Sequence, residues 1–250
     1  MKTAWAGLLL FACTACASLT PPRQITAPVL DADRAWARVL DRYVNDRGQV
    51  DFQELAQQSG DLDTYVAYVW RTNPRDIADP DERLAYLINS YNALSMYTVL
   101  QSGIPKRLDG WGRIRFFALT TARVGDRSIS LYDYENKEIR AVGDPRVHFA
   151  LNCMAVSCPR LPRVPWTGAH LQSQLDHAAR DFFSESRNLQ VDDARRTVTV
   201  SAILDFFPED FTAHAPNLIA YINRWRDRPI PEDYRVTFFD YDWTINAQEK

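Results

Sequence analysis

Apolar residues recur at helical spacing through most of the chain and alternate at strand spacing only in brief stretches. From Asp31 onward, Trp36, Val39, Leu40, Tyr43 and Val44 fall on one stripe, as in an amphipathic helix. Gly48 ends that helix, residues 49–52 read as a short strand, and a second helix carries Leu62, Tyr65, Val66 and Val69. A third helix has the clearest start signal. Asp79 suits the N-cap, Pro80 the first helical position, and Asp81 and Glu82 complement the helix dipole. From Leu84 to Val99 it is apolar almost all round, which predicts burial on several sides, and Gly103 and Pro105 stop it.

Residues 113–119 and 123–131 read as strands, with Gly125-Asp126 as a hairpin turn, and a short helix is expected over 131–140. Residues 147–151 read as an interior strand. Leu171, Leu175, Ala178, Ala179, Phe182 and Phe183 mark a helix over 168–184. A hairpin over 189–191 and 197–200, short helices over 202–207 and 217–225, and a last strand region over 235–245 complete the pattern. This irregular mixing predicts a single α+β domain, helices packed around short antiparallel or mixed strands, rather than a βαβ array.

The N-terminus changes the picture of where the domain works. Lys2, the apolar run from Ala4 to Ala12 and the small residues around Cys16 form a secretory signal. The run is shorter than the about 20 apolar residues a spanning helix needs. Thr14-Ala15 before Cys16 suits a lipoprotein-type signal over residues 1–16. Cys13, after Leu10-Phe11-Ala12, is the rival processing site, and plain secretion the rival reading. Residues 17–30, polar and proline-bearing, are expected to be a tether, and 31–250 the globular domain. These features imply the periplasmic side of the cell envelope, with a lipid on Cys16 at the outer membrane, or secretion to the periplasm.

Composition is ordinary for a globular protein, 46% hydrophobic and 24% charged, with net charge −3. There is no basic stripe, so nucleic acid is not an expected partner. Beyond the signal only Cys153 and Cys158 remain, so the fold must rest on a hydrophobic core.

Candidate chemistry gathers in the segment from His148 to Leu161. On a strand, His148 and Asn152 would share a face, while Cys158 falls in a turn closed by Pro159. His148 is a candidate general base or acid, and Cys153 or Cys158 a candidate thiolate nucleophile. Against this stand a Cys153–Cys158 disulfide and a histidine that merely completes the core. Asn89 and Asn92 lie three apart on the third helix, where amides demand partners. They are either structural or, with Asn152, substrate-binding. The cysteine spacing and His170, His177 and His214 lack a zinc pattern, so neither metal nor cofactor is expected.

Several ordered segments carry a family resemblance. They are Tyr86-Leu87-Ile88-Asn89-Ser90-Tyr91-Asn92-Ala93, the block from Ser130-Leu131 through Glu135 to Ile139-Arg140, the run from Asp144 to Cys153 closing with Ser157-Cys158-Pro159, and a stretch from Ser201 to Asp210-Phe211. Over roughly residues 51–221 the chain resembles the domain of unknown function 547. The resemblance promotes Glu135 to a third member beside His148 and the cysteines. The chain departs from that family's pattern with Asn136 in place of histidine and Tyr134 in place of isoleucine. The order of helix, hairpins, His and Cys is analogous to a papain- or transglutaminase-like site. Two functions stay open: a Cys/His/Glu-dependent hydrolase or acyl-transfer enzyme acting on a small molecule or peptide, with Asn92 or Asn152 holding an oxyanion, and a non-catalytic envelope scaffold or binding module with a Cys153–Cys158 disulfide.

Overall fold

The helix Pro80–Gln101 begins as its sequence dictates. The Asp79 side chain accepts the Glu82 amide at 2.9 Å and the proline occupies the first turn. From Leu84 to Val99 every side chain is buried, including Asn89, Ser90, Asn92, Ser95 and Thr98. This is the central helix. Gly60–Val69 and Leu171–Ser184 pack on it, and Val29–Tyr43 packs on Gly60–Val69 and reaches the central helix through Trp36. The computed structural model describes residues 17–22 and 29–249.

Two small mixed sheets complete the α+β architecture among the described residues. In the first, Thr120–Val124 lies between Ala17–Ser18, which it pairs in parallel, and Arg127–Ser130, which it pairs antiparallel. Val124 faces Arg127 across Gly125-Asp126, and the glycine's φ of +60° fits the first position of a two-residue hairpin turn. In the second sheet, Thr197–Val200 lies between Leu189–Asp192, antiparallel, and Arg235–Phe238, parallel.

Two expected strands are helical instead. Residues 113–119 form the end of the helix Gly110–Ile114 and a π-helical turn, Arg115–Leu119. Their Arg-Ile-Arg-Phe alternation spans too few residues to specify a strand. Residues 147–151 belong largely to the 3₁₀ helix Pro145–Phe149, whose start repeats the Asp-Pro device of the central helix: Asp144 accepts the Arg146 amide at 2.9 Å. Val147, His148, Phe149, Ala150 and Leu151 are all buried, so the run has no polar face to reveal its period. His148 and Asn152 therefore do not share a strand face. Residues 49–52 likewise yield only single bridges from Val50 to Val44 and Ala247 before the helix Phe52–Gln57.

The proposed signal and its candidate lipidation site Cys16 lie outside the described residues, as do residues 23–28 of the expected tether. Residues 17–22 are docked. Beyond the two strand pairs, the Leu19 amide donates to Thr121 O at 2.9 Å and the Tyr97 hydroxyl to Thr20 O at 3.1 Å. Among the described residues no helix is long and apolar enough to cross a membrane.

The buried amides of the central helix bind backbone on neighbouring segments. Asn89 Oδ1 accepts Trp36 Nε1 at 3.1 Å and the Trp166 amide at 3.0 Å, and its Nδ2 donates to Trp166 O at 2.7 Å. Asn92 Oδ1 accepts the Asn152 amide at 2.7 Å, and its Nδ2 donates to Ala150 O at 3.0 Å. Asn89→Ala strands three buried groups and is expected to cost about 3 kcal/mol, measured by urea unfolding. A loss within a few tenths of a kcal/mol would contradict the clamp.

Candidate active site

The Asn92 clamp fixes the entry to a tight loop that holds both sulfurs. Asn152 closes the loop on itself, its Nδ2 donating to Pro159 O at 2.6 Å and its Oδ1 accepting the Met154 amide at 2.7 Å. Met154 sits at a φ of +68°, a conformation that a non-glycine residue holds only where its surroundings enforce it. The turn brings the Cys153 amide to 3.1 Å from Cys158 Sγ. Both cysteines are free and buried, and the Tyr241 hydroxyl lies 3.3 Å from Cys158 Sγ and 3.7 Å from Cys153 Sγ.

The two thiols are unequal. Burial opposes charge on Cys158. Donors outweigh it: the Cys153 thiol, the Tyr241 hydroxyl and backbone at Ala155 and Cys153 together bring Cys158 below the ordinary thiol range. Cys153, which gives its proton to that hydrogen bond and is itself buried, is pushed well above it. Ionisation of this pair is therefore favoured at Cys158 over Cys153.

His148 lines the same cavity as the sulfurs. Its side chain is 1% exposed, with the ring stacked on Phe207 at 4.5 Å and tilted against Phe211 at 5.2 Å. Its acidic partner is Asp210, whose Oδ2 lies 2.7 Å from Nε2. Arg140 grips the same carboxylate through Nε at 2.7 Å and Nη2 at 2.9 Å, while its guanidinium rests 4.3 Å over the Phe207 ring. Although partial burial works against the charge, the bonds from His148 and Arg140 hold Asp210 well below the usual carboxylate range. An ionised Asp210 makes Nε2 the protonated nitrogen and leaves the Nδ1 lone pair as the base.

Glu135 occupies the π-helical turn Tyr134–Ile139 and reaches the cavity from another side. Its carboxyl points inward and accepts the Tyr91 hydroxyl at 3.0 Å. Burial raises its pKa, against the opposing pull of His148, Tyr91 and Arg140. Asn136, beside it, accepts Arg140 Nη1 and donates to Tyr132 O, so this position helps fix the arginine that holds Asp210.

The structure thus brings Glu135, His148, Cys153 and Cys158 to one cavity of about 100 Å³, with Tyr91, Phe117, Leu151, Ile203, Phe206, Phe207, Tyr241 and Trp243 in its walls. Asn89, Asn92 and Asn152 do not line it, because their amides hold backbone. Among the described residues no cluster of His, Cys, Asp and Glu suits a metal ion. Asp210 and Tyr241 were missed in the sequence. Asp210 follows His148 by 62 residues, and its signal was its place in the Ser201-to-Phe211 stretch. Tyr241 was hidden in the expected final strand, which ends at Phe238 before the chain crosses the cavity.

Because burial favours protonated Glu135 in the folded chain, its ionisation burdens the fold. The burden is absent below its unfolded value of about 4.3, grows as pH rises through the raised folded value, and is constant above it. Glu135→Gln should therefore raise the thermal midpoint relative to the parent at about pH 8, and the gap should shrink as pH falls to about 4. A gap independent of pH would contradict a buried, proton-favouring carboxyl.

Compared with curated proteins and with solved structures, the chain finds no match. Residues 75–183 match a family model, a span that holds the central helix, Glu135, His148 and both sulfurs but ends before Asp210 and Tyr241. That model is described as protein of unknown function, DUF547.

Proposed function

We propose that the protein is a cysteine-dependent hydrolase or acyl-transfer enzyme of the cell envelope, with Cys158 as nucleophile. The observation that carries this reading is a donor-supported Cys158 sulfur facing the same cavity as the His148–Asp210 pair. His148 takes the Cys158 proton, the thiolate attacks an acyl carbon, an S–C bond forms as the bond to the leaving group breaks, and that group departs with its electron pair and the proton from His148. Water then attacks the thioester, giving its proton to His148, and the acid product leaves as the thiol is regenerated. Asp210 orients the imidazole and stabilises its charged form, and Arg140 positions Asp210. The hydroxyls of Tyr91 and Tyr241 line the cavity beside the sulfurs, whereas the asparagine amides do not. Export and a lipid on Cys16 rest on the N-terminal sequence pattern.

A second reading has one observation of its own. The Cys153 amide lies 3.1 Å from Cys158 Sγ and both sulfurs neighbour the Tyr241 hydroxyl, a proximity that supports a disulfide formed in an oxidising compartment, as in a non-catalytic scaffold or binding module. Intact mass of protein taken from the periplasm separates the two readings. Free thiols support the enzyme, whereas a bonded pair without turnover after reduction supports the scaffold.

With both thiols reduced, iodoacetamide should label Cys158 about tenfold faster than a small model thiol at about pH 7, read by peptide mass spectrometry. Asp210→Asn and His148→Ala should each slow it. Labelling no faster than the model thiol, or faster at Cys153, would overturn the assignment.

A further inference from the structure

The cavity limits what the sulfur can carry. Its volume of about 100 Å³ is smaller than the about 150 Å³ of a cavity that takes a benzene ring, so it accommodates fewer than six non-hydrogen atoms. Phe117, Leu151, Ile203, Phe206, Phe207 and Trp243 give it an apolar surface. The walls are braced by ring contacts. Phe117 meets Trp243 edge-on at 5.9 Å, Tyr241 lies 4.3 Å from Trp243, and Phe206 lies 5.4 Å from Tyr241. Depth is therefore fixed by aromatic groups that shield one another from collapse or easy displacement.

Charge narrows the choice further. No lysine or arginine is among the cavity's lining residues: Arg140 is engaged by Asp210, Asn136 and Glu209, Arg187 by the carbonyls of Val156 and Cys158, and Arg113 lies over the Trp243 ring. An acyl group bearing a carboxylate would enter without a counter-ion and beside Glu135, which makes its burial costly. A cationic group would draw Glu135 into the ionised form that burial opposes.

We propose that the group transferred through Cys158 is a short, uncharged acyl group, acetyl or propionyl in size, delivered as an ester or thioester. This rests on the cysteine-enzyme reading above. Longer chains meet the aromatic walls. Phe206, which is 45% exposed and lies at the cavity's outer side, is the residue that sets the length limit.

The test is acylation of the reduced protein by p-nitrophenyl esters of acetate, propionate, octanoate, hemisuccinate and alanine. Each rate is divided by that ester's rate with a small model thiol. The thiolate attacks the ester carbonyl, an S–C bond forms, the bond from the acyl carbon to the p-nitrophenoxy oxygen breaks, and p-nitrophenolate leaves with the electron pair. Acetate and propionate should acylate Cys158, located by peptide mass spectrometry, about tenfold or more faster than the other three. Phe206→Ala should raise the octanoate-to-acetate ratio by about tenfold, since a partly exposed ring can be removed without unfolding the core. Equal normalised rates across the series, or a preference for octanoate, hemisuccinate or alanine, overturn the size and charge limit while leaving Cys158 as nucleophile. No acylation of Cys158 by any ester overturns the nucleophile as well.

Discussion

A helix buried on all sides must find partners for its polar side chains inside the protein, and of the buried amides and hydroxyls of Asn89, Ser90, Asn92, Ser95 and Thr98 all but Ser95 do, a constraint that organises the molecule. The central helix carries Asn89, Ser90, Asn92, Ser95 and Thr98 in a stretch without exposed residues. Ser90 and Thr98 bond back to carbonyls one turn earlier, and Ser90 also meets the Tyr134 hydroxyl. The asparagines of this helix do not, and each amide presents both a donor and an acceptor. They reach outward to irregular backbone, which itself needs partners when buried. Helix and loop each satisfy the other.

That exchange places the chemistry. Asn92 holds the carbonyl of Ala150 and the amide of Asn152, the residues between His148 and the sulfurs, so imidazole and thiols inherit one reference point. On the far side, Asp210 and Arg140 come from separate segments and fix the ring by charge and by stacking through Phe207. Tyr241 arrives from near the C-terminus to hydrogen-bond the sulfurs. The site is thus assembled on the rigid centre and finished by late segments. Gly48 marks how closely these parts approach: with φ +75°, a Cβ there would sit 2.7 Å from the Leu161 backbone nitrogen.

What could be read in the sequence was what is local. The Asp79-Pro80 cap, the all-round apolar helix and the Gly125-Asp126 turn each follow from a few adjacent residues, and each is found in place. The 147–151 run is ambiguous in sequence because full burial erases the alternation on which a strand assignment depends, although Asp144-Pro145 repeats the capping signature of Asp79-Pro80. Nothing in methionine's chemistry announces a left-handed conformation at Met154. The bond from His148 to Asp210 joins distant segments, and no spacing rule encodes it. Glu135 was singled out by resemblance and does reach the cavity, but the imidazole's hydrogen bond goes to Asp210.

The central claim is that the buried asparagine clamp sets the sulfur's ionisation as well as its position. Ultraviolet titration of thiolate absorbance, in Cys153→Ser and in Cys153→Ser combined with Asn92→Ala, measures this most directly, with native circular dichroism confirming the fold. The account predicts that Cys158 ionises below an ordinary thiol's value of about 8.5 in the first protein and moves up toward it in the second. An ordinary or elevated value in both, or the same depressed value with and without Asn92, would contradict it.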